Sequence, residues 1–275
     1  MYSKNPGPIG IFDSGYGGLT ILEKIKEKLP QYDYIYLGDN ARTPYGTRSF
    51  EVVYKYTLEC VKYLFEQGCH LIILACNTAS AKALRSIQQN NLPLLDPDRR
   101  VLGVIRPTIE SIGSFTRNNH VGLLATSGTV QSQSYLLEIE KQYGENIMLT
   151  SEACPMWVPI IENNEHNNIG ADYFVQKNLD NLLTNDSLID TIILGCTHYP
   201  LLIDKIKKYI PQNIAVVSQG EIVADSLKNY LERHPEIESK CAKTGKTRFL
   251  TTESTEKFIS SASIFLNEDI EAQHV

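Results

Sequence analysis

Two cysteines stand at corresponding points of two similar stretches of the chain. Residues 71–78 read Leu-Ile-Ile-Leu-Ala-Cys-Asn-Thr, and residues 191–198 read Thr-Ile-Ile-Leu-Gly-Cys-Thr-His. In both, an apolar β-branched run is followed by a small residue, a cysteine and hydrogen-bonding side chains. Two thiols that face one carbon atom from opposite sides can remove a proton there and deliver another, which is the chemistry of a two-base racemase.

A second pair of stretches supports an internal repeat. Residues 9–15 read Ile-Gly-Ile-Phe-Asp-Ser-Gly, and residues 121–128 read Val-Gly-Leu-Leu-Ala-Thr-Ser-Gly. The separation of each pair is roughly the size of a small domain. If two such units face each other, Cys76 and Cys196 meet across one cleft.

Asp13 ends the first apolar run and begins a glycine-rich turn, Asp-Ser-Gly-Tyr-Gly-Gly. The glycines allow a tight turn and a close approach of the backbone to a ligand. The spacing differs from the G-x-G-x-x-G dinucleotide fingerprint, which disfavours a nucleotide site. Asp13 can orient an ammonium group or polarise a thiol, or it can simply cap the following helix.

His198 lies two residues after Cys196 and can tune that thiol or share its proton. Glu162 ends the apolar run 157–161 and can orient His198. Ordinary structural roles remain open for both, and for Asp39, because single histidines and acidic residues are common in folded proteins. The remaining cysteines are interpreted as core or surface residues: Cys60, Cys69, Cys154 and Cys241.

Composition narrows the class of protein. The chain has 275 residues, a net charge of −6 and six cysteines. No C-x-x-C pair or usual zinc spacing occurs, so we expect no metal site and free thiols in a reducing compartment. The absence of a long Lys/Arg cluster disfavours a nucleic-acid partner. No apolar run has the length of a membrane span, and the N-terminus lacks a signal-peptide pattern, so we expect a cytoplasmic protein without membrane association.

Short apolar runs alternate with segments of helical periodicity, which predicts an α/β fold with mostly parallel sheets flanked by helices. Ligands bind beyond the carboxyl ends of parallel strands, where Cys76 and Cys196 both fall. Each cysteine precedes a predicted helix, and a helix N-terminus lowers the pKa of a thiol. Asn77 or Thr78 is predicted to cap the first of these helices, expected from residue 79.

Two turn-rich stretches, 91–98 and 211–213, suggest where the chain passes between domains. The predicted first domain therefore comprises residues 1–98 plus 211–275, and the second comprises residues 99–210. Strands are predicted at 101–105 and 214–218. The segment 251–275 is predicted to contain one helix, 256–266, and a polar end that frays.

Four motifs together resemble glutamate racemase. They are Gly-Ile-Phe-Asp-Ser-Gly-Tyr-Gly-Gly from residue 10, Leu-Gly-Asp-Asn-Ala-Arg-Thr-Pro-Tyr-Gly from residue 37, Ala-Cys-Asn-Thr-Ala-Ser from residue 75 and Leu-Gly-Cys-Thr-His-Tyr-Pro-Leu from residue 194. They occur in the family's order. The wider aspartate/glutamate racemase superfamily shares the paired cysteines, whereas the Asp-Ser-Gly, Pro-Tyr-Gly and Cys-Thr-His-Tyr-Pro blocks are more specific to glutamate racemase.

This resemblance implies two pseudo-symmetric α/β domains with the active site in the cleft between them. It implies interconversion of L- and D-glutamate without a cofactor, supplying D-glutamate for peptidoglycan. We also expect a homodimer whose small-molecule partner is glutamate.

By the same resemblance, Cys76 and Cys196 form the acid/base pair, with Cys196 acting on L-glutamate and Cys76 on D-glutamate. Asp13, His198 and Glu162 complete the predicted catalytic group. The implied substrate-binding residues are Asp13, Ser14, Tyr45, Gly46, Asn77, Thr78, Thr126, Thr129, Thr197 and His198.

Three alternatives stay open at this point. The nearest is an aspartate racemase or another superfamily member that acts on a related amino acid. A non-catalytic binding protein with two α/β lobes is a second, although the paired thiols count against it. A thiol hydrolase that uses Cys196 and His198 is the third.

Overall fold

The computed structural model describes residues 4–266 and 269–275, and its α/β architecture confirms the predicted fold class. Within these ranges no helix combines the length and the hydropathy that crossing a bilayer requires. The described strands are β1 (Ile9–Asp13), β2 (Tyr34–Gly38), β3 (Leu71–Leu74), β4 (Arg100–Gly103), β5 (His120–Ala125), β6 (Met148–Ala153), β7 (Thr191–Gly195), β8 (Ala215–Val217), β9 (Thr247–Thr251) and β10 (Ala272–His274). The described α-helices are α1 (Leu19–Lys28), α2 (Phe50–Glu66), α3 (Asn77–Lys82), α4 (Leu84–Ser86), α5 (Leu92–Leu95), α6 (Ile105–Ile112), α7 (Ser127–Gln131), α8 (Ser134–Tyr143), α9 (Trp157–Glu162), α10 (Ile169–Asn185), α11 (Ile203–Tyr209), α12 (Gly220–Arg233), α13 (Pro235–Glu238) and α14 (Thr255–Ala262).

The strands form two parallel sheets that confirm the internal repeat. The first sheet has the order β10-β9-β2-β1-β3-β4, and the second has the order β6-β5-β7-β8. The last four strands of the first order, β2-β1-β3-β4, correspond one by one to the second sheet. Each cysteine therefore follows the third strand of its unit, and the strands β1, β3 and β7 are buried over their whole length, as parallel strands between helices usually are.

The chain passes between the two units after the fourth strand of each. After β4 it enters α6, whose Ile105, Ile109 and Ile112 pack into the core of the second sheet. After β8 it enters α12, which packs against α1 beside the first sheet. Helix α6 therefore follows a strand of the first sheet but packs in the second unit, and α12 follows a strand of the second sheet but packs in the first. The two crossings lie at equivalent points of the repeat.

The predicted boundaries at 98/99 and 210/211 separate one strand from each of the two sheets. Strand β4 pairs with β3 in the first sheet, and β8 pairs with β7 in the second. The turn-rich stretches 91–98 and 211–213 precede β4 and β8 inside the two units instead. The predicted strand 101–105 also ends early, at Gly103, because the apolar residues that follow begin α6, and an apolar run alone does not distinguish a buried strand from a helix. The division into two domains itself stays a prediction.

The polar C-terminal end is ordered in the sheet, contrary to the predicted fraying. Strand β10 pairs with β9 in parallel, so Gln273 and His274 are held by backbone hydrogen bonds that need no apolar side chains. The predicted helix 256–266 is shorter, and residues 267–268 lie outside the described part of the chain. Phe258 of α14 and Phe265, which follows that helix, both pack against Tyr16 of the glycine-rich turn.

Candidate active site

Cys76 lies at the junction of β3 and α3. It occupies the N-cap of α3, where its sulfur accepts a hydrogen bond from the backbone N–H of Ala79 over 3.4 Å. The hydroxyl of Ser14 lies 3.3 Å from the same sulfur. The helix therefore begins at Asn77, two residues earlier than predicted, because the cysteine itself caps the helix in place of the predicted Asn77 or Thr78.

The pKa of Cys76 is raised to about 12, so the predicted lowering by the helix is wrong. Burial is the largest cause, followed by the negative charge of Asp13. A helix N-terminus contributes only about 0.3–1 kcal/mol in favour of a thiolate, less than one pKa unit, and cannot offset both effects. At neutral pH Cys76 is a thiol and holds a proton that it can deliver.

Asp13 connects the two units at the end of β1. Its Oδ1 accepts from the backbone N–H of Gly15 at 2.8 Å, and its Oδ2 accepts from the hydroxyl of Thr197 at 3.5 Å. Burial raises the pKa of Asp13, although the nearby His198 opposes the shift. Asp13 is therefore placed between the Cys76 side and the Cys196 side of the site.

Cys196 follows β7 directly and is succeeded by a short 3₁₀ turn, Tyr199–Leu202, which leads into the predicted helix, α11. The Nδ1 atom of His198 lies 3.9 Å from the Cys196 sulfur. The Nε2 atom of the same ring lies 2.9 Å from Oε1 of Glu162, the last residue of α9. Phe265 packs edge-on against the imidazole. The structure thus places Glu162 where it can orient His198 toward the thiol.

The pKa of His198 is raised to about 10. Burial favours the neutral ring and is the largest single cause, but the hydrogen bonds and charge interactions with Cys196 and Glu162 together outweigh it. At neutral pH His198 is therefore a cation that can pair with a Cys196 thiolate. Cys76 instead faces the Asp13 carboxylate, so the two thiols stand in opposite electrostatic surroundings.

The charge of His198 predicts a pH effect. The folded pKa is raised, so the stabilisation from this ion pair is complete below the unfolded value of 6.5 and is lost as the pH rises through about 10. Glu162→Gln removes the anion that favours the imidazolium, and we expect the alkaline limb of the kcat/KM profile to move to lower pH. Glu165→Gln is the control, because Glu165 lies three residues away and its side chain is exposed. An alkaline limb that stays in place in Glu162→Gln would contradict this assignment.

Three of the predicted substrate-binding threonines share one hydroxyl cluster. The hydroxyl of Thr78 in α3 lies 2.9 Å from that of Thr126 and 3.3 Å from that of Thr129. Thr126 caps α7, and its hydroxyl lies 3.0 Å from that of Thr129. Because Thr78 belongs to the first unit and the other two to the second, the cluster joins the two sides of the site.

Tyr45 and Gly46 lie on a loop that meets the second unit through its backbone. The Tyr45 hydroxyl donates to Asp39, a buried carboxylate that also binds Arg42 and accepts from the Thr252 hydroxyl. The Gly46 carbonyl accepts from the N–H of Gly128 at 2.7 Å. Asp39, whose role was open, therefore holds this loop in place, and the Tyr45 side chain is engaged in the first unit.

The amide side chain of Asn77 is engaged within the protein at both ends. Its Oδ1 accepts from the Tyr135 hydroxyl at 2.7 Å, and its Nδ2 donates to Oε1 of Gln219 at 2.6 Å. The first N–H groups of a helix have no partner inside it, so the backbone of Asn77 and Thr78 is what can bind an anion here. Sequence reasoning missed Tyr135 and Gln219, although Gln219 follows the carboxyl end of β8 as the other site residues follow their strands.

In the described ranges, no group of three or more His, Cys, Asp or Glu residues is placed to hold a metal ion.

The sequence matches the profile of the Asp/Glu/hydantoin racemase family over residues 9–227. It is 40% identical over 272 residues to the glutamate racemase of Ruegeria sp. (strain TM1040), covering 95% of this chain and 97% of the relative.

Two crystal structures of glutamate racemases resemble the whole fold. An isoform from Bacillus anthracis superposes with a TM-score of 0.88 at 33% identity, covering 98% of this chain and 97% of the other. The enzyme from Francisella tularensis subsp. tularensis SCHU S4, in complex with D-glutamate, gives a TM-score of 0.86 at 31% identity with the same coverage.

Proposed function

The chain belongs to the Asp/Glu/hydantoin racemase family, and we propose that it interconverts L-glutamate and D-glutamate with Cys76 and Cys196 as its acid/base pair. Full-length similarity to glutamate racemases supports the substrate. The mechanism is supported by one arrangement: the two buried cysteines follow equivalent strands of the repeat, and Asp13, whose charge acts on Cys76, contacts Thr197 beside Cys196. No observation favours a hydrolase or a binding protein over this function.

The charges around the two thiols fit a direct proton exchange. With L-glutamate bound, the Cys196 thiolate takes the Cα proton and becomes a thiol, and the C–H electron pair stays on a planar, carbanion-like centre. The Cys76 thiol then gives its proton to the opposite face and becomes a thiolate. One proton is removed and one is added, so the substrate changes only in configuration, and the protein ends with a proton on Cys196 in place of the one on Cys76. D-glutamate follows the same steps in reverse.

Placed hydrogen-bond donors lower the energy of the carbanion-like state. The backbone N–H groups of Asn77 and Thr78 lie at the positive end of α3, and the hydroxyls of Thr78 and Thr197 lie beside the cysteines. We assign these groups to the α-carboxylate, whose charge rises as the proton leaves. The Asn77 side chain is already hydrogen-bonded to Tyr135 and Gln219, so the backbone N–H is the donor that Asn77 can offer to a substrate. This supports the assignment.

The site is closed in this structure. Cys76 and Cys196 are each only 6% exposed, and bonds such as Gly128 N–H to the Gly46 carbonyl join the two units over the site. Glutamate can enter and leave only if the units move apart, as in hinge closure around a ligand. Exclusion of water in the closed state strengthens every electrostatic interaction at the substrate.

We further propose that the protein supplies D-glutamate for peptidoglycan. It does so in the cytoplasm and as a homodimer. The motif resemblance supports it. Depletion of the protein in its host should stop growth, and external D-glutamate should restore it. Light scattering of the purified protein measures the oligomeric state.

The activity is tested by circular dichroism of each glutamate enantiomer with dialysed protein and no added cofactor. We expect the signal to decay to zero from both L- and D-glutamate at a rate proportional to the protein. L-aspartate is the control substrate and should react much more slowly. Faster racemisation of aspartate, or an activity that returns only on addition of pyridoxal phosphate, would overturn the proposal.

A further inference from the structure

Gln219 joins the two chain crossings through one side-chain amide. It lies between β8 and α12, at the second crossing, and is 2% exposed. Its Nε2 lies 3.3 Å from the Val104 carbonyl, 2.8 Å from the Thr108 hydroxyl and 2.9 Å from the Tyr135 hydroxyl. Val104 is the residue between β4 and α6, at the first crossing. A change of angle between the units therefore acts on this amide.

The other end of the Gln219 amide reaches the active site. Its Oε1 accepts from Asn77 Nδ2, and Tyr135 donates to Asn77 Oδ1, so Gln219, Asn77 and Tyr135 form a closed ring of hydrogen bonds. Asn77 is bonded covalently to Cys76 and is the first residue of α3. Cys196 makes no hydrogen bond to any member of this ring in the described part of the chain.

We infer that Gln219 is a positioning residue for racemisation, which sets the place of Cys76 and the first turn of α3 when the two units close. This inference rests on the proposed function. Loss of the Gln219 amide removes one of the two hydrogen bonds that hold the Asn77 side chain, so we expect the Cys76 sulfur and the adjacent N–H donors to shift with it. Cys196 keeps its own support from β7 and His198, so Gln219 acts mainly on the proton transfer that uses Cys76.

Overall racemisation rates cannot show this asymmetry. The two enantiomers have equal free energy in solution, so kcat/KM must be the same in both directions for every variant. N-hydroxyglutamate separates the two half-reactions because it needs one proton abstraction and no reprotonation. A thiolate takes the Cα proton, the C–H electrons form a C=N bond, and the N–O bond breaks. The departing hydroxide takes a proton from solvent, and water hydrolyses the imine to 2-oxoglutarate and ammonia.

The experiment compares Gln219→Leu and Tyr135→Phe, each of which cuts one bond to Asn77, with the control Ser111→Ala on α6, whose hydroxyl donates to the Pro107 carbonyl instead. The enantiomer that Cys76→Ser fails to process is the one that reports on Cys76. Because a misplacement of about 1 Å can cost about 10²-fold, we expect Gln219→Leu to lose about 10–100-fold in kcat for that enantiomer and less than about threefold for the other. Tyr135→Phe should show the same asymmetry, and Ser111→Ala should match the wild type.

Equal losses on both enantiomers, or no loss on either, would overturn the role of Gln219 and leave a purely structural network. Thermal unfolding of each variant checks that rates are compared on folded protein. If Gln219→Leu does not fold, the ratio of the two rates in Tyr135→Phe decides. A wild-type protein that neither racemises glutamate nor eliminates from the analogue would instead refute the proposed function, which distinguishes the two failures.

Discussion

Replacement of either Cys76 or Cys196 by serine is expected to reduce glutamate racemisation by about 10²–10⁴-fold, the usual cost of losing a positioned acid or base. A serine hydroxyl is close in size to a thiol but is far less acidic. It therefore does not ionise and cannot take the Cα proton as a thiolate does. Both cysteines are buried at strand ends, where the smaller serine fits without a steric clash. Initial rates by circular dichroism, with the far-ultraviolet spectrum as a check on folding, measure the effect.

Cys241→Ser is the matched control for these variants. Its sulfur is buried and donates to the Ile237 carbonyl over 3.4 Å, a bond that a serine hydroxyl can also make. We expect this variant to keep most of the wild-type rate. The other core cysteines, Cys60, Cys69 and Cys154, should behave in the same way wherever the variant folds. Turnover close to wild type in Cys76→Ser would end the two-thiol mechanism.

Gly17→Ala is expected to cost about 10²-fold in kcat, because it displaces the Cys196 side of the site by a distance that catalysis does not tolerate. A Cβ at Gly17 would lie 2.4 Å from both His198 Nδ1 and Thr197 Oγ1. His198 cannot move away freely, since Glu162 and Phe265 hold its ring. The methyl group therefore separates the imidazole from the Cys196 sulfur.

Gly170→Ala controls for the loss of a glycine. Among the described residues, no atom beyond the neighbouring residues and the helix's own backbone lies within 4 Å of a Cβ at this position in α10, so we expect the wild-type kcat and a stability that is equal or slightly higher. Steady-state kinetics and thermal unfolding on both variants separate a lost catalytic geometry from a lost fold. A wild-type kcat in Gly17→Ala would show that this contact between the units yields easily.

The repeat and the paired cysteines were predictable because they rest on local sequence. A buried strand followed by a small residue and a cysteine is visible in eight residues, and its recurrence places both thiols at strand ends. The crossings were not predictable in the same way. Proline- and asparagine-rich turns look alike whether they join two elements of one unit or two units, and only strand pairing assigned β4 and β8 to their sheets.

The chemistry around the cysteines depends on contacts that sequence does not display. The raised pKa of Cys76 comes from burial and from Asp13 on a neighbouring strand, and both outweigh the local effect of the helix that the sequence suggested. The Asn77 side chain was expected at the substrate, but it binds Gln219, 142 residues away. The pairing of the polar strand β10 is likewise a matter of backbone hydrogen bonds, which leave no apolar pattern.

In the proposed mechanism, one thiol stands on each face of the substrate Cα. The most direct test is elimination from each enantiomer of N-hydroxyglutamate by the two single variants. We predict opposite preferences: Cys196→Ser should retain elimination from the D-enantiomer only, and Cys76→Ser from the L-enantiomer only. If both variants lose both enantiomers equally, or both retain the same one, the two cysteines do not act from opposite faces.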